Sequence, residues 1–327
     1  MSHWRDLAKK ITNAGRWGPE DQFGTLNFIT PATVARAATL VRSGRRFSLS
    51  APIDADGPQG AHGMRRNPIH LMSLDGSDAD IAARLGTWGG AAQQEVLGMF
   101  GAGSARFNDD YIIMPTQAST QWDALSHVYY DGELYNNVPA GAVTSMGAAR
   151  NSIDVVAAAG HLCSRGVLLD VARWRGVPGL EPNTTIGPAD LDAVASAQGV
   201  SVEVGDIVVV RTGWWPAFAR GGVAADAWLG GTPGLSWECA EWLWEHNVAA
   251  VAADNGMVEA MVPVDGEILV LHMLTLRDLG MMLGEIWNLE ALGEDCASDG
   301  VYEFLLTATP LTITGAVGSP VNPVAIK

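Results

Sequence analysis

The chain has 327 residues, of which 48% are hydrophobic and 17% charged, so it can bury a sizeable core and is expected to be globular. Its 36 acidic and 20 basic residues give a net charge of −16, which repels nucleic-acid backbones and anionic membrane surfaces. We therefore expect neither nucleic acid nor membrane as a partner. The first ten residues lack an apolar signal core, and no run of about eighteen apolar residues follows, which predicts a cytoplasmic protein.

The first hundred residues predict a helix, a strand and then long loops. Residues 30–41 begin with a threonine cap and a proline and continue with apolar residues at helical spacing. Residues 47–53 alternate like a strand. The stretch 54–103 is broken by Gly, Pro and Asp and predicts loops with one helix near 91–99. Long ordered loops usually serve a site, so this stretch is expected to contribute to one.

From residue 166 onward, apolar runs typical of buried strands alternate with predicted helices. The strands are expected at 166–171, 206–211 and 248–254, and the helices at 187–191 and 236–246. Such alternation indicates the α/β class. Because the chain shows neither a linker nor a repeat, we expect a single domain.

A polar segment at 117–127 is the most informative part of the chain and reads Gln-Ala-Ser-Thr-Gln-Trp-Asp-Ala-Leu-Ser-His. It follows an apolar, β-prone run at 111–114, so we expect it at the end of that strand, where a rigid scaffold meets an open cleft. Asp123 and His127 stand four residues apart, on one side of a helical turn or in one pocket if the chain turns after the strand. Such a pair can fix a histidine tautomer or share a metal-bound water, although the spacing also fits a surface pair.

The polar segment resembles the signature of the kynurenine formamidase, isatin hydrolase and cyclase family, which reads His-x-Gly-Thr-His-x-Asp-x-Pro-x-His. In this alignment Gln117 and Gln121 replace the first two histidines, whereas Asp123 and His127 match the Asp and the final His. Further stretches resemble landmarks of the family, at 166–170, 211–214, 232–236 and 300–304.

The resemblance implies the swivelling β/β/α cyclase-like fold, in a single domain spanning residues 1–327. Residues 1–109 would form an N-terminal extension with loops, typical of a longer branch of the family. Residues 110–327 would form the core that carries the signature. The resemblance also implies subunit interfaces near the site, and therefore a homodimer or homotetramer.

The resemblance also implies a metal site. In metal-dependent members the signature histidines and Asp hold zinc or manganese, and a downstream His and Glu can complete a second position. By that pattern Asp123 is a candidate ligand, His272 and Glu285 match the downstream pair, and His127 is the general acid or base. Taken alone, His272 in its apolar surroundings also fits a satisfied core histidine, whereas an unpaired Glu285 among apolar neighbours would be costly.

The two glutamines leave the role of a metal open. Zinc favours imidazole nitrogen and thiolate, and an amide oxygen is a poor substitute, so the sequence favours manganese over zinc. The ligands would be Asp123, Gln121, His272 and Glu285. In the alternative without a metal, Gln117 and Gln121 donate hydrogen bonds to a substrate carbonyl, and His127 deprotonates water directly.

Tryptophan usage indicates the class of substrate. The chain has 12 tryptophans, and aromatic walls suit a flat, apolar or aromatic small molecule. We predict contacts to substrate from Trp122, Trp88 and Trp214, and from Arg65, which could meet a substrate carboxylate. The alternative for most of these tryptophans is a place in the core or at a subunit interface.

Together these patterns predict a hydrolase that adds water to the carbonyl of a cyclic or acyl amide, imide or lactone, with an apolar or aromatic substrate. His127 would move the proton, and Asp123 would orient the His127 ring or bind the metal. Two alternatives stay open. One is a lyase, dehydratase or cyclase that uses the same His and Asp, and the other is a small-molecule-binding protein without catalysis.

Overall fold

The computed structural model describes residues 3–60, 63–75, 77–78 and 106–327. Within these residues the strands, in chain order, are β1 (Arg46–Ser48), β2 (Ile69–Leu74), β3 (Asp109–Ile113), β4 (Gln121–Asp123), β5 (Glu133–Leu134), β6 (Val138–Pro139), β7 (Val143–Thr144), β8 (Gly147–Ala148), β9 (Cys163–Asp170), β10 (Thr185–Ile186), β11 (Ile207–Arg211), β12 (Gly234–Leu235), β13 (Ala250–Ala253), β14 (Met282–Glu285), β15 (Glu303–Thr307), β16 (Gly318–Pro320) and β17 (Val324–Ile326).

The helices of the described ranges lie between and around these strands. The α-helices are His3–Ile11, Pro31–Ala38, Ile153–Ala159, Val171–Trp174, Pro188–Gln198, Trp214–Ala219, Ala225–Gly230, Cys239–Glu245, Val270–His272 and Glu290–Asp299. Short 3-10 helices cover Gly24–Phe28, Tyr135–Asn137 and Ala140–Ala142, and a π-helix covers Met273–Leu279. None of these helices combines the length and apolar character that crossing a bilayer requires.

Nine strands form one mixed sheet, in the order β1-β17-β15-β9-β11-β13-β14-β4-β16. The four strands β9, β11, β13 and β14 are parallel, and β11 and β13 are buried along their whole length. Their Val- and Ala-rich sequences suit burial on both faces. Antiparallel neighbours extend the sheet on both sides of this parallel centre. A mixed sheet with helices packed around it confirms the predicted α/β class.

Most of the predicted elements are present, with shifted ends. The runs at 166–171, 206–211 and 248–254 contain β9, β11 and β13, and the helices predicted at 187–191 and 236–246 are Pro188–Gln198 and Cys239–Glu245. The helix predicted at 30–41 has the expected threonine cap but ends at Ala38, and the strand predicted at 47–53 is the three-residue β1. The helix predicted near 91–99 lies outside the described residues.

The prediction that the strand at 111–114 carries the polar segment was wrong. That run belongs to β3, which pairs with β2 in a separate two-stranded sheet and exposes its apolar side chains. The polar segment instead supplies its own strand, β4, which pairs with β14 on one side and β16 on the other. Pairing with two distant strands stabilises a strand of Gln, Trp and Asp that its own β-propensity would not predict.

Candidate active site

Strands β4 and β14 bring three polar side chains to one face of the sheet. Gln121 lies directly opposite Glu285 in the antiparallel register, and Asp123 follows Gln121 on the same face because side chains alternate along a strand. All three are buried. Gln121 Nε2 donates a hydrogen bond to Glu285 Oε2 at 2.6 Å. The central part of the sheet therefore presents two carboxylates and an amide to the same space.

His272 approaches this group from the helix Val270–His272. Its Nε2 lies 3.2 Å from Glu285 Oε1 and 3.9 Å from Asp123 Oδ2. One candidate ligand atom each from Asp123, His272 and Glu285 lies within 4.8 Å of the other two. Burial opposes a charged imidazole, but hydrogen bonds to Glu259 and Glu285 raise the pKa of His272 to about 10.

His127 lies beside Asp123 because the chain turns immediately after β4. The His127 N–H donates to the Ala124 carbonyl at 2.9 Å, and His127 Nε2 lies 3.8 Å from Asp123 Oδ1. Of the two arrangements that the sequence left open, the structure shows the turn after a strand. Burial is the main reason that the pKa of His127 is lowered, so its imidazole is neutral near pH 7.

Arg65 contacts both Gln117 and His127. Its Nη1 donates to the Gln117 carbonyl at 3.1 Å, and its Nη2 lies 3.4 Å from His127 Nε2. Because a guanidinium can only donate, this contact favours the His127 tautomer with a free lone pair on Nε2. The Gln117 side chain accepts from Thr116 Oγ1 and packs beside Gly318, where a Cβ would lie 2.4 Å from Gln117 Nε2.

Several buried polar atoms of the segment have no hydrogen-bond partner among the residues that the structure describes. They are both carboxylate oxygens of Asp123, Oε1 of Gln121, Nε2 of Gln117 and Oγ of Ser126. Burial raises the pKa of Asp123 to about 6, opposed by His127 and assisted by Glu285. Buried polar groups in folded proteins are almost always paired, so a cluster of unpaired ones indicates a missing ligand.

The residues present fit a divalent cation. Asp123 and Glu285 offer carboxylate oxygens, His272 offers an imidazole nitrogen, and Gln121 offers its unpaired amide oxygen. A donor set with more oxygen than nitrogen suits an oxygen-preferring ion better than it suits zinc. The orphaned oxygens of Asp123 are the atoms that such an ion would satisfy.

A cavity of about 210 Å³ reaches two of these groups, His272 and Glu285. Arg65, His127, His272 and Glu285 line its polar part. The apolar lining is rich in flexible, unbranched side chains, which adapt to ligands of different shape; it comprises Met64, Val128, Leu229, Met257, Met261 and Leu269. An apolar wall around a few convergent polar groups is the usual form of a small-molecule site.

Of the three predicted tryptophans, the two that the structure describes, Trp122 and Trp214, lie away from this cavity. Trp122 is fully buried, donates from Nε1 to the Ala308 carbonyl at 2.8 Å, and packs edge-on against Trp287. As the middle residue of β4, it points to the face opposite Gln121 and Asp123. Trp214 is buried in a second apolar cluster and donates to the Trp228 carbonyl. Trp88 lies outside the described residues.

Glu259 is a site residue that the sequence reasoning missed. It is buried, and its Oε1 lies 2.5 Å from His272 Nδ1. The sequence did contain a signal, because Glu259 is the one charged residue within the apolar run 257–262. Burying an unpaired carboxylate among apolar residues is energetically unfavourable, and this argument, used above for Glu285, applies equally to Glu259.

Comparisons with known proteins show the family of this chain. A cyclase family model matches residues 47–260. The crystal structure of a protein described as a novel cyclase is 41% identical, with a TM-score of 0.85 over 97% of this chain and 100% of that one. No curated protein matches the chain in a sequence search.

Two further solved structures are similar in fold alone. Isatin hydrolase A from Labrenzia aggregata, bound to benzyl benzoate, is 17% identical, with a TM-score of 0.59 over 88% of this chain and 94% of its own. A predicted metal-dependent hydrolase from Bacillus stearothermophilus is 15% identical, with a TM-score of 0.52 over 87% of this chain and 98% of its own.

Proposed function

Because this chain belongs to the cyclase family and has the cyclase-like fold that its signature segment predicted, we propose that it is a hydrolase. The reaction is the addition of water to the carbonyl carbon of a cyclic or acyl amide, imide or lactone. One observation carries the proposal: a neutral histidine faces an apolar cavity, 3.8 Å from a buried carboxylate that accepts no hydrogen bond from any described residue. A neutral imidazole beside such a carboxylate is equipped to take a proton from water.

His127 is the proposed general base. Its lowered pKa keeps Nε2 unprotonated near neutral pH, and Arg65 at 3.4 Å favours the tautomer in which that nitrogen can accept a proton. Asp123 Oδ1, 3.8 Å from the same Nε2, stabilises the imidazolium that forms when the proton arrives. Arg65 is also placed to stabilise the negative charge that develops on the carbonyl oxygen.

A divalent cation is the proposed cofactor, with manganese favoured over zinc. Asp123, His272 and Glu285 would hold it, together with the amide oxygen of Gln121. When bound, such an ion polarises a carbonyl group and lowers the pKa of a water ligand. The unpaired carboxylate oxygens of Asp123 and the excess of oxygen donors support this choice.

The proposed substrate is a small, apolar or aromatic carbonyl compound. The cavity volume of about 210 Å³ limits its size, and the Met, Val and Leu side chains of the wall favour apolar surface. Arg65 is the basic residue among the described lining residues, so a carboxylate on the substrate would be bound at that end.

The test combines elemental analysis of the purified protein with hydrolysis assays on a panel of cyclic amides, imides and lactones. We expect turnover that is lost on chelation and restored by Mn²⁺. His127→Ala should lower kcat by about 10² to 10⁴-fold. The control is His246→Ala, which changes a comparably half-buried histidine outside the site. Binding of panel compounds without turnover, unchanged in His127→Ala, would instead support the non-catalytic alternative.

We also propose that the protein is a homodimer or homotetramer. The two-stranded sheet of β2 and β3 supports this, because its cross-strand pair Leu71 and Tyr111 is 51% and 63% exposed. A two-stranded sheet with exposed apolar side chains is marginal in water until something covers it. Light scattering after size exclusion should show a smaller assembly for Leu71→Lys. Leu311→Lys, at an exposed apolar residue elsewhere, is the control, and equal masses for all three proteins would reject this interface.

A further inference from the structure

Glu259 contacts both the backbone and the side chain of His272. Its Oε1 accepts from the His272 N–H at 3.0 Å and lies 2.5 Å from His272 Nδ1, and its Oε2 accepts from the Leu271 N–H at 3.2 Å. One buried carboxylate thus holds the start of the helix and the imidazole ring at the same time. The ring is left with Nε2 directed toward Glu285 and Asp123.

His272 lies at the N-terminal end of a helical segment that continues into the π-helix Met273–Leu279. The helix Val270–His272 has three residues, and the residue before it, Leu269, has a left-handed backbone with φ of 62°. Val258, directly before Glu259, has φ of 55°. Such backbones are unfavourable for a non-glycine residue, most of all for a β-branched one, and persist only where surrounding contacts fix them. The contact between Glu259 and His272 links these two strained positions.

The chemistry of the contact indicates what it achieves. A carboxylate on Nδ1 makes that nitrogen a hydrogen-bond donor, so Nε2 is the nitrogen that would give up its proton to bind an ion. The same contact fixes the plane of the ring and makes Nε2 a stronger donor of its lone pair to a cation. Removing it would leave the ring free to rotate away from Asp123 and Glu285 while the fold of the sheet is unchanged.

We propose that Glu259 is a positioning residue, which acts through His272 to direct Nε2 at the cation site. This inference rests on the divalent cation of the proposed function. Glu259 itself lies behind the ring and lines a second cavity of about 190 Å³, which also borders Ser236 and Glu238. Glu238 serves as a control, because it is an exposed glutamate at the same cavity that makes no hydrogen bond to His272.

The experiment measures the affinity of the full chain for Mn²⁺, added as manganese chloride, by titration calorimetry. Glu259→Gln should weaken binding by about 10- to 100-fold, and Glu238→Gln should leave it unchanged. In a His272→Ala background, Glu259→Gln should cause no further loss, since its effect passes through the ring. A wild-type affinity in Glu259→Gln, or an equal loss with and without His272, overturns the inference.

A second variant covers the case in which Glu259→Gln does not fold. Glu259→Asp keeps the buried charge but shortens the side chain by one methylene, so the carboxylate no longer reaches Nδ1. It should weaken Mn²⁺ binding in the same direction, and a wild-type affinity in this variant also overturns the inference. If the wild-type chain binds no Mn²⁺, it is the proposed cation site that fails, which distinguishes the two outcomes.

Discussion

Two carboxylates of the main sheet are equally buried and differ in their partners. Asp123 is the last residue of β4, and Asp254 directly follows β13. Both are fully buried, and burial raises the pKa of each to about 6. Asp254 accepts hydrogen bonds from the Thr212 N–H, the Thr212 hydroxyl and the Gly213 N–H, whereas within the described part of the chain Asp123 accepts none.

The difference separates a carboxylate that the chain itself satisfies from one that the described residues leave without a hydrogen-bond donor. Asp254 is satisfied by the chain itself and joins the ends of two neighbouring strands. Asp123 has the same burial without this compensation, beside an unpaired amide oxygen of Gln121 and an unpaired hydroxyl of Ser126. Burial and a raised pKa are thus shared by both regions, and the missing partners are what mark the candidate site.

The largest expected contrast is in catalysis and metal binding. Asp123→Asn should abolish measurable Mn²⁺ binding and lower kcat/KM by about 10³-fold or more, beyond the 10- to 100-fold typical of supporting residues. Asp254→Asn should retain Mn²⁺ binding, because Asp254 faces protein donors. Calorimetric titration and steady-state kinetics of both variants check this. Equal losses of Mn²⁺ affinity and kcat/KM in the two variants would show that the unpaired Asp123 carboxylate has no specific role in metal binding or catalysis.

The second contrast is in the stability of the metal-free protein, where the two Asp→Asn substitutions should change the Tm in opposite directions. Because the pKa of Asp123 is raised from 3.8 to about 6, its carboxyl stabilises the fold while protonated below pH about 4, and this stability is lost as pH rises through 6. Asp123→Asn should therefore raise the Tm of the chelated protein at pH 7 and have little effect at pH 4.

Asp254→Asn should lower the Tm at pH 7. It turns an amide N–H toward the Gly213 N–H, which leaves a buried donor unsatisfied at a cost of about 1–3 kcal/mol. Thermal unfolding of the wild type and both variants at pH 4 and pH 7 gives the comparison. A lower Tm for both variants at pH 7 would mean that Asp123 has a partner within the chain after all.

The third prediction concerns pH. Burial lowers the pKa of His127, so the base form should persist below pH 6.5, the ordinary value for histidine. We expect the acidic limb of kcat/KM to lie below pH 6.5, with a plateau through pH 7 to 8. Arg65→Gln should move that limb upward, since Arg65 also favours the neutral ring. A limb unmoved by this substitution would argue against His127 as the titrating base.

The smallest expected effects compare the two faces of β4. Trp122→Phe removes a satisfied hydrogen bond on the core face and should cost about 0.5–1.5 kcal/mol of stability without changing KM. Met261→Ala removes a side chain from the cavity wall and should raise KM for apolar substrates several-fold. Denaturant unfolding and kinetics measure both. A change of KM in Trp122→Phe alone would restore the predicted contact of Trp122 with substrate.

The polar segment shows how far sequence reasoning reached. Its type of chemistry was readable, because an Asp and a His four residues apart in a family signature limit what the segment can do. The sequence could not show which strand carries the site residues. Only pairing with distant strands distinguishes the exposed run 111–114 from the buried β4. The same limit applies to Trp122, whose face depends on the register of β4.

The sequence by itself determined the class of fold, the buried parallel strands and the residues of the signature. These follow from periodicity, caps and local spacing, which act over a few residues. Only the tertiary structure decided which polar atoms lack partners and that Glu259 holds His272 in place. Gln121 and Glu285 are 164 positions apart in the chain and form a hydrogen bond in the structure. No local sequence pattern predicts whether polar atoms so far apart in the chain will be hydrogen-bonded or left unpaired.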